Sequence, residues 1–344
     1  MIWARNRQGM AISMNSLRMG CTAVAAVAML SLGGCGSIGV ALGWRTRLDK
    51  LPVTAVSATL SPGPGLSPGK SGRLVIVASG AGGEKWTTVG PGHGEVLFDS
   101  FTFESTVVQV NKRGVVSLPS DPRVSSGKTA RVHVAVVGHP DAVTDLDVPL
   151  QYNVAFAGHF SGTSGLDGSD GMAGLAGSDG SAGSSDLTNP AAGGNGSDGS
   201  NGTNGGDGGD GSPGETVHLW ITLQPGPTPL IQVEAAGSSH TQYFLIDPNG
   251  GSLSIDANGG SGGRGGHGGK GGRGGSGGSG FPPGFSGNDG LDGQDGRSGF
   301  DGAPGKVIVT VDPAAQPYLD RFHFHTGVAS NAAQVHSQPV PPLW

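Results

Sequence analysis

Cysteine occurs only twice in this chain of 344 residues, at Cys21 and Cys35. Aromatic residues make up 6% and charged residues 13%. That leaves few large side chains for a broad enzyme core and few groups for acid–base chemistry. The apolar run over residues 21–32 (CTAVAAVAMLSL) is short of the ~20 residues that a membrane-spanning helix needs. What the chain has instead is glycine, 68 residues, against a usual share of ~7%. Glycine costs roughly 1 kcal/mol per position in a helix, so a helical bundle is excluded.

The first 34 residues carry Arg5, Arg7 and Arg18 and no acid, followed by the apolar run and then Leu32-Gly33-Gly34-Cys35. A basic start, an apolar stretch of this length and small residues before a cleavage point form a secretion signal. The last four residues resemble the bacterial lipoprotein box. That resemblance implies that residues 1–34 are a signal peptide and that Cys35 is acylated, anchoring the mature chain in a membrane. Gly36 is not the aspartate that retains such lipoproteins in the inner membrane. The resemblance therefore favours the outer membrane in a Gram-negative host. Removing residues 1–34 moves the formal charge from −6 to −9. An acidic chain is a poor partner for nucleic acid or for anionic lipid surfaces. One remaining cysteine permits no intrachain disulfide.

Residues 35–50 read as a lipidated tether and residues 51–160 as a β domain. Apolar, β-branched runs at 53–60, 73–78, 95–103, 106–110, 114–118, 130–137 and 148–156 are separated by proline- and glycine-rich joints. Strands of this number and spacing predict a β-sandwich of immunoglobulin-like form. His93, His133, His139 and His159 lie here without metal-ligand spacing, and His133 belongs on a solvent face. Glu95, Asp99 and Glu104 read as solvated surface.

Residues 162–305 carry the strongest signal. Glycine recurs at every third position in four uninterrupted tracts, 162–183, 193–214, 259–280 and 284–305, each 22 residues long. A period of three fits a polyproline-II-type helix with ~3.1 Å rise, which makes no internal hydrogen bonds. Its backbone N–H and C=O groups need partners outside the helix. Glycine on one edge lets another backbone come close. Two architectures use this pattern: a collagen-type trimer, and a polyglycine-II bundle within one chain. The bundle is favoured by the scarcity of proline, by the Gly-Gly-X form of tract three and by the pairing of the tracts.

Each pair reads strand, tract, turn, tract, strand: 151–156 before tract one and 216–223 after tract two, 252–256 before tract three and 306–311 after tract four. Further strands near 230–234 and 242–246 complete a base. The two tracts of a pair run antiparallel if their flanking strands share a sheet. This internal repeat makes residues 161–312 one region, followed by a C-terminal strand within 313–344 and a disordered tail from Ala332.

The third triplet position of tract three carries Arg264, His267, Lys270 and Arg273 on one edge. Acids hold that position elsewhere: Asp167, Asp170 and Asp179; Asp198, Asp207 and Asp210; Asp289, Asp292, Asp295 and Asp301. Attraction between these rows is expected to set the arrangement of the tracts. Leu166, Met172 and Leu175, with Phe285, Leu291 and Phe300, occupy middle positions and form either a small cluster or an exposed sticky face. They are the candidate binding residues.

With lipobox, β domain and strand-flanked glycine arrays in hand, the chain resembles the bacterial collagen-like, glycine-rich lipoproteins. The array itself resembles the polyglycine-II bundles of snow flea antifreeze protein and phage tail-tip adhesins, although the disulfides of the antifreeze protein are absent. The resemblance implies a mainly β, non-catalytic structural or adhesive protein of the cell envelope. Its partners are the membrane through its anchor and an envelope or extracellular protein or glycan. The alternative is a module that binds glycan, protein or ice on its helix faces or β-domain loops. A monomer is favoured, with a collagen-type trimer as the other reading. The match of 263–268 to a dinucleotide fingerprint, and of 274–278 to a nucleophile elbow, has no strand–turn–helix context. No catalytic constellation, metal site or cofactor is read from the sequence. The clustered aspartates leave weak calcium binding open, and His323 and His325 face one way on a strand.

Overall fold

The computed structural model describes residues 45–89, 95–226, 229–327 and 333–344. The expected signal peptide and lipobox, with Cys35, and His93 lie outside the described residues. The described chain is mainly β, with several sheets and only short 3₁₀ segments for helix. It divides into two compact units, one essentially residues up to Gln151 and the other from Tyr152 onward.

The first unit contains β1 (Val53–Ser61), β2 (Ser71–Gly80), β3 (Lys85–Thr87), β4 (Phe101–Thr106), β5 (Gln109–Val110), β6 (Val115–Ser117), β7 (Ala130–Val136) and β8 (His139–Val148). One sheet has the order β1-β2-β6-β5, with β3 on β2; the other is β4-β7-β8. Alternation builds the shared core: Val132, Val134 and Val136 of β7 and Leu74, Ile76 and Ala78 of β2 are buried. His133 points outward and meets Asp145 at 2.9 Å. Three expectations move. Residues 45–50 are not tether, because Leu48 is fully buried in this core and the Thr46 N–H donates to Glu95. The run 95–103 enters a strand only at Phe101, after a 3₁₀ turn over Phe98–Ser100. Strand β8 was hidden by Pro140 and by Asp141, Asp145 and Asp147, residues that disfavour strands; Gly138, at φ +83°, turns the chain from β7 back into it.

The second unit contains β9 (Ala155–His159), β10 (Thr216–Gln224), β11 (Leu230–Ala236), β12 (Thr241–Ile246), β13 (Ser252–Asp256), β14 (Lys306–Val311), β15 (Phe322–His325) and β16 (Gln334–Ser337). The expected strand at 151–156 starts later, at Ala155, and this unit takes in residues from Tyr152. Its two sheets are β12-β11-β10-β14-β16 and β15-β13-β9. Inward residues of both, among them Leu219, Ile221, Val233, Ile255 and Val309, close one core.

The strands that flank each tract pair do not share a sheet, so the condition set for antiparallel tracts is not met by the strands. The incoming strands β9 and β13 pair in parallel in one sheet, and the outgoing strands β10 and β14 pair in parallel in the other. The repeat units therefore stack like onto like. The tail from Ala332 is also not disordered where it is described. Residues 334–337 add to β14, and the chain beyond them lies on the sheet. Thr222 Oγ1 donates to the Val340 carbonyl at 2.9 Å, the Leu343 N–H to Gln232 Oε1 at 2.9 Å, and Gln232 Nε2 to the Trp344 carbonyl at 3.3 Å. A proline-rich extended segment has few N–H donors; Gln232 takes that of Leu343 and Asp312 that of Val340, while Thr222 and Gln232 donate to its carbonyls.

Candidate functional site

The four tracts are joined by backbone hydrogen bonds along their lengths. Tract one runs antiparallel to tract two, from Gly194 N–H to Ser181 through Gly209 N–H to Leu166, each 2.8 Å. Tract two runs antiparallel to tract three, with Gly263 donating to Gly209 and Gly275 to Ser197. Tract three runs antiparallel to tract four, with Gly290 donating to Gly272 and Gly299 to Gly263. Tracts one and three are parallel (Gly168 to Arg264, Gly177 to Arg273), and so are two and four (Gly199 to Asn288, Gly211 to Phe300). Tracts two and three each have three neighbours, and one and four have two. The cross-section is a rhombus with two and three on its short diagonal.

This pattern explains where glycine is required. A Cβ on Gly269 would run into the carbonyl of Met172 in tract one. A Cβ on its neighbour Gly268 would run into the carbonyl of Gly293 in tract four. Tract three is pressed from two sides, so two of its three edges must be bare, which is its Gly-Gly-X sequence. In tract one a close backbone approach falls on one edge only, and it spends one glycine per triplet.

Many of the backbone N–H groups that find no carbonyl are met by side chains. On the edge of tract two facing tract one, Ser197, Ser200 and Thr203 accept from the N–H groups of Ser178, Leu175 and Met172 at 2.6–2.7 Å. On its other edge, Asn195, Asp198, Asn201, Asn204, Asp207 and Asp210 accept in turn from the residues of tract four between Phe285 and Phe300. Asp167, Asp170 and Asp179 of tract one accept from Arg264, His267 and Ser276 of tract three. Asp289, Asp292, Asp295 and Asp301 of tract four accept from Gly274, Gly271, Gly268 and Gly262. Each oxygen stands in for the carbonyl of a neighbouring tract that is not there.

The expected attraction between charge rows takes a different form. Arg264, His267, Lys270 and Arg273 do lie on one exposed edge. Among the described residues, only His267 of these four makes an ion pair, a long one of 3.8 Å to Asp295. The aspartates of tracts one and four accept from backbone amides of tract three instead.

Threefold geometry fixes the surface. In tracts one and four the glycine edge points inward and the aspartate edge points to tract three. The remaining edge flanks tract two. It carries Leu166, Met172 and Leu175 on one side and Phe285, Leu291 and Phe300 on the other, each 73–83% exposed. They form no cluster; they stand singly along both borders of a row of Ser, Thr, Asn and Asp. Leu166 lies opposite Gly209 and Phe300 opposite Asp210, so the two rows share levels across tract two. The opposite face carries the basic edge of tract three between two rows of aspartate.

Two further exposed apolar residues were not read from the sequence. Leu187 (84% exposed) lies in the loop 184–192 and Phe281 (62%) in the turn 281–283. These segments meet at one end of the array, where Phe281 N–H donates to Ala191 and Gly193 N–H to the Pro282 carbonyl. A loop with a single leucine gives no periodic signal. Among the described residues no group of three or more His, Cys, Asp or Glu converges as for a metal, and no helix is long and apolar enough to cross a membrane. No protein-family model matches the chain, and no curated protein matches it.

Proposed function

We propose that the chain is a non-catalytic lipoprotein of the bacterial envelope, anchored through Cys35, whose glycine array is a polyglycine-II bundle acting as a rigid adhesive module. The observation that carries the adhesive role is the amphipathic face. Six large apolar side chains border a polar row and are held there by backbone hydrogen bonds on either side. Fixed apolar groups next to hydroxyl, amide and carboxylate groups suit an envelope or extracellular protein or glycan. Little conformational entropy is lost when such a surface binds. The first unit, with two sheets around one core, is read as an immunoglobulin-like sandwich that precedes the bundle in the sequence. Consecutive tracts run antiparallel within the chain, where a collagen triple helix needs parallel strands, which supports a monomer over a collagen-type trimer.

Two experiments test this reading. Metabolic labelling with palmitate should mark the wild-type chain in the membrane fraction, and Cys35→Ser should leave it unlabelled and released. Leu166→Ser, Phe285→Ser and Phe300→Ser together should abolish retention on isolated envelope fragments while circular dichroism stays unchanged. Undiminished retention would overturn the adhesive role of this face.

A further inference from the structure

The first unit holds a cleft of about 340 Å³ in which four cations converge, although the whole chain is acidic. Its walls are built by local structure. The segment carrying Arg45 is laid beside residues 95–97 by two bonds, Thr46 N–H to Glu95 and Leu97 N–H to the Thr46 carbonyl. Arg73 sits on β2 opposite Val115 of β6. In the turn before β6, Asn111 Oδ1 accepts from the N–H groups of Arg113 at 2.8 Å and Val115 at 3.0 Å. That turn presents Lys112 and Arg113 to the cleft. Gly114, at φ +70°, closes it; a Cβ there would overlap the Phe98 ring, so the turn is seated on Phe98 and beside Asp99.

Arg73, Lys112 and Arg113 make no ion pair among the described residues. Arg73, Lys112 and Arg113 against the one carboxylate of the lining, Asp99, make a local positive field, and a concave wall focuses it. Guanidinium groups match phosphate oxygens two at a time, and the lysine adds a point charge. Asp99 accepts hydrogen bonds, and Leu97 with Phe98 gives an apolar wall. The volume is at the small end for ligand sites.

We propose that this cleft binds a phosphate ester that carries hydroxyl groups, of the glycerophosphate type, with the phosphate on the cations and a hydroxyl on Asp99. The site is separate from the bundle face. Soluble phosphate esters read it with no lipid attached, so its failure and that of the Cys35 anchor are distinguishable.

The test uses the chain from Gly36 onward, which contains every described residue. Binding of glycerol 3-phosphate is measured by calorimetry. Binding to vesicles of phosphatidylglycerol, against vesicles of phosphatidylcholine, is measured by sedimentation at low and high salt. Anionic vesicles should bind, salt should weaken them, and Arg73→Gln with Arg113→Gln should lower affinity about 25-fold, near five-fold per cation. Lys112→Gln alone should cost about five-fold. Arg264→Gln with Arg273→Gln, on the bundle, should change nothing. Vesicle binding without glycerol 3-phosphate binding identifies the phosphate as a lipid headgroup; the reverse identifies a free ester. Binding of neither probe, or equal loss with the bundle variant, overturns the proposal.

Discussion

Gly269 and Lys270 are neighbours with opposite constraints. A methyl group at Gly269 meets the Met172 carbonyl, which is held in place by its own hydrogen bond from Thr203. Overpacking of this kind costs about 1–3 kcal/mol. Gly269→Ala should lower the thermal midpoint accordingly, while Lys270→Ala, at an exposed edge, should shift stability by no more than about 0.5 kcal/mol. Gly206 shows the reverse case. It occupies the edge of tract two where Ser197, Ser200 and Thr203 accept from tract one. A Cβ there would sit 3.2 Å from the Ser169 nitrogen and from its Oγ, and three residues earlier Thr203 Oγ1 accepts from the corresponding N–H of Met172 at 2.7 Å. Gly206→Ser should therefore add one hydrogen bond and restrict the unfolded chain, raising stability by about 1 kcal/mol in denaturant melts.

At the scale of the tract, side chains act as substitute carbonyls. The row in tract one is broken by Ala173 and Ala176, which lie opposite Lys270 and Arg273 in the register set by Asp167 and Asp170. Asp167→Ala with Asp170→Ala should destabilise the array by about 1 kcal/mol per lost bond, whereas Arg264→Ser with Arg273→Ser should be nearly neutral. Equal effects from the two pairs would restore charge attraction as the organising force. Ala173→Asp should stabilise by offering the Lys270 N–H an acceptor. Amide exchange should follow the same logic. The buried second glycines of tract three, such as Gly263, Gly266 and Gly269, should exchange most slowly, because each donates to tract two in the middle of the rhombus.

Across the second unit, the sheets and the array are one register. The offset of 97 residues that pairs β9 with β13 persists in the bonds between tracts one and three. The offset of 90 residues that pairs β10 with β14 persists between tracts two and four. Each tract is thus the extension of a strand, and equal tract lengths follow from extending paired strands together. The C-terminal segment is tied to this body by Asp312. Hydrogen bonds from the N–H of Val340 and of Ala314 hold its carboxyl below the usual carboxylate range. Its folded value is depressed, so its contribution is complete above the unfolded value of about 3.9 and is lost as pH falls through the lower folded value. Exchange at Val340 and Leu343 should accelerate on acidification across that window. Asp312→Asn should flatten that dependence.

The sequence by itself determined the local chemistry of this protein. A glycine period of three left the backbone no internal partners, so the tracts needed neighbours, and the Gly-Gly-X form of tract three marked it as pressed from two sides. Alternation marked β2 and β7, since one face of each had to be buried. Tertiary structure decided everything that depends on which neighbour is nearest. It sent the flanking strands into two different sheets, turned the aspartates from lysine and arginine to backbone amides, and laid the proline-rich tail on Gln232 and Asp312. It also brought Arg45, Arg73 and the adjacent pair Lys112 and Arg113, three places far apart in the chain, to one cleft. None of these leaves a periodic trace, because hydrogen bonds and charges act over a few ångströms of space regardless of separation along the chain.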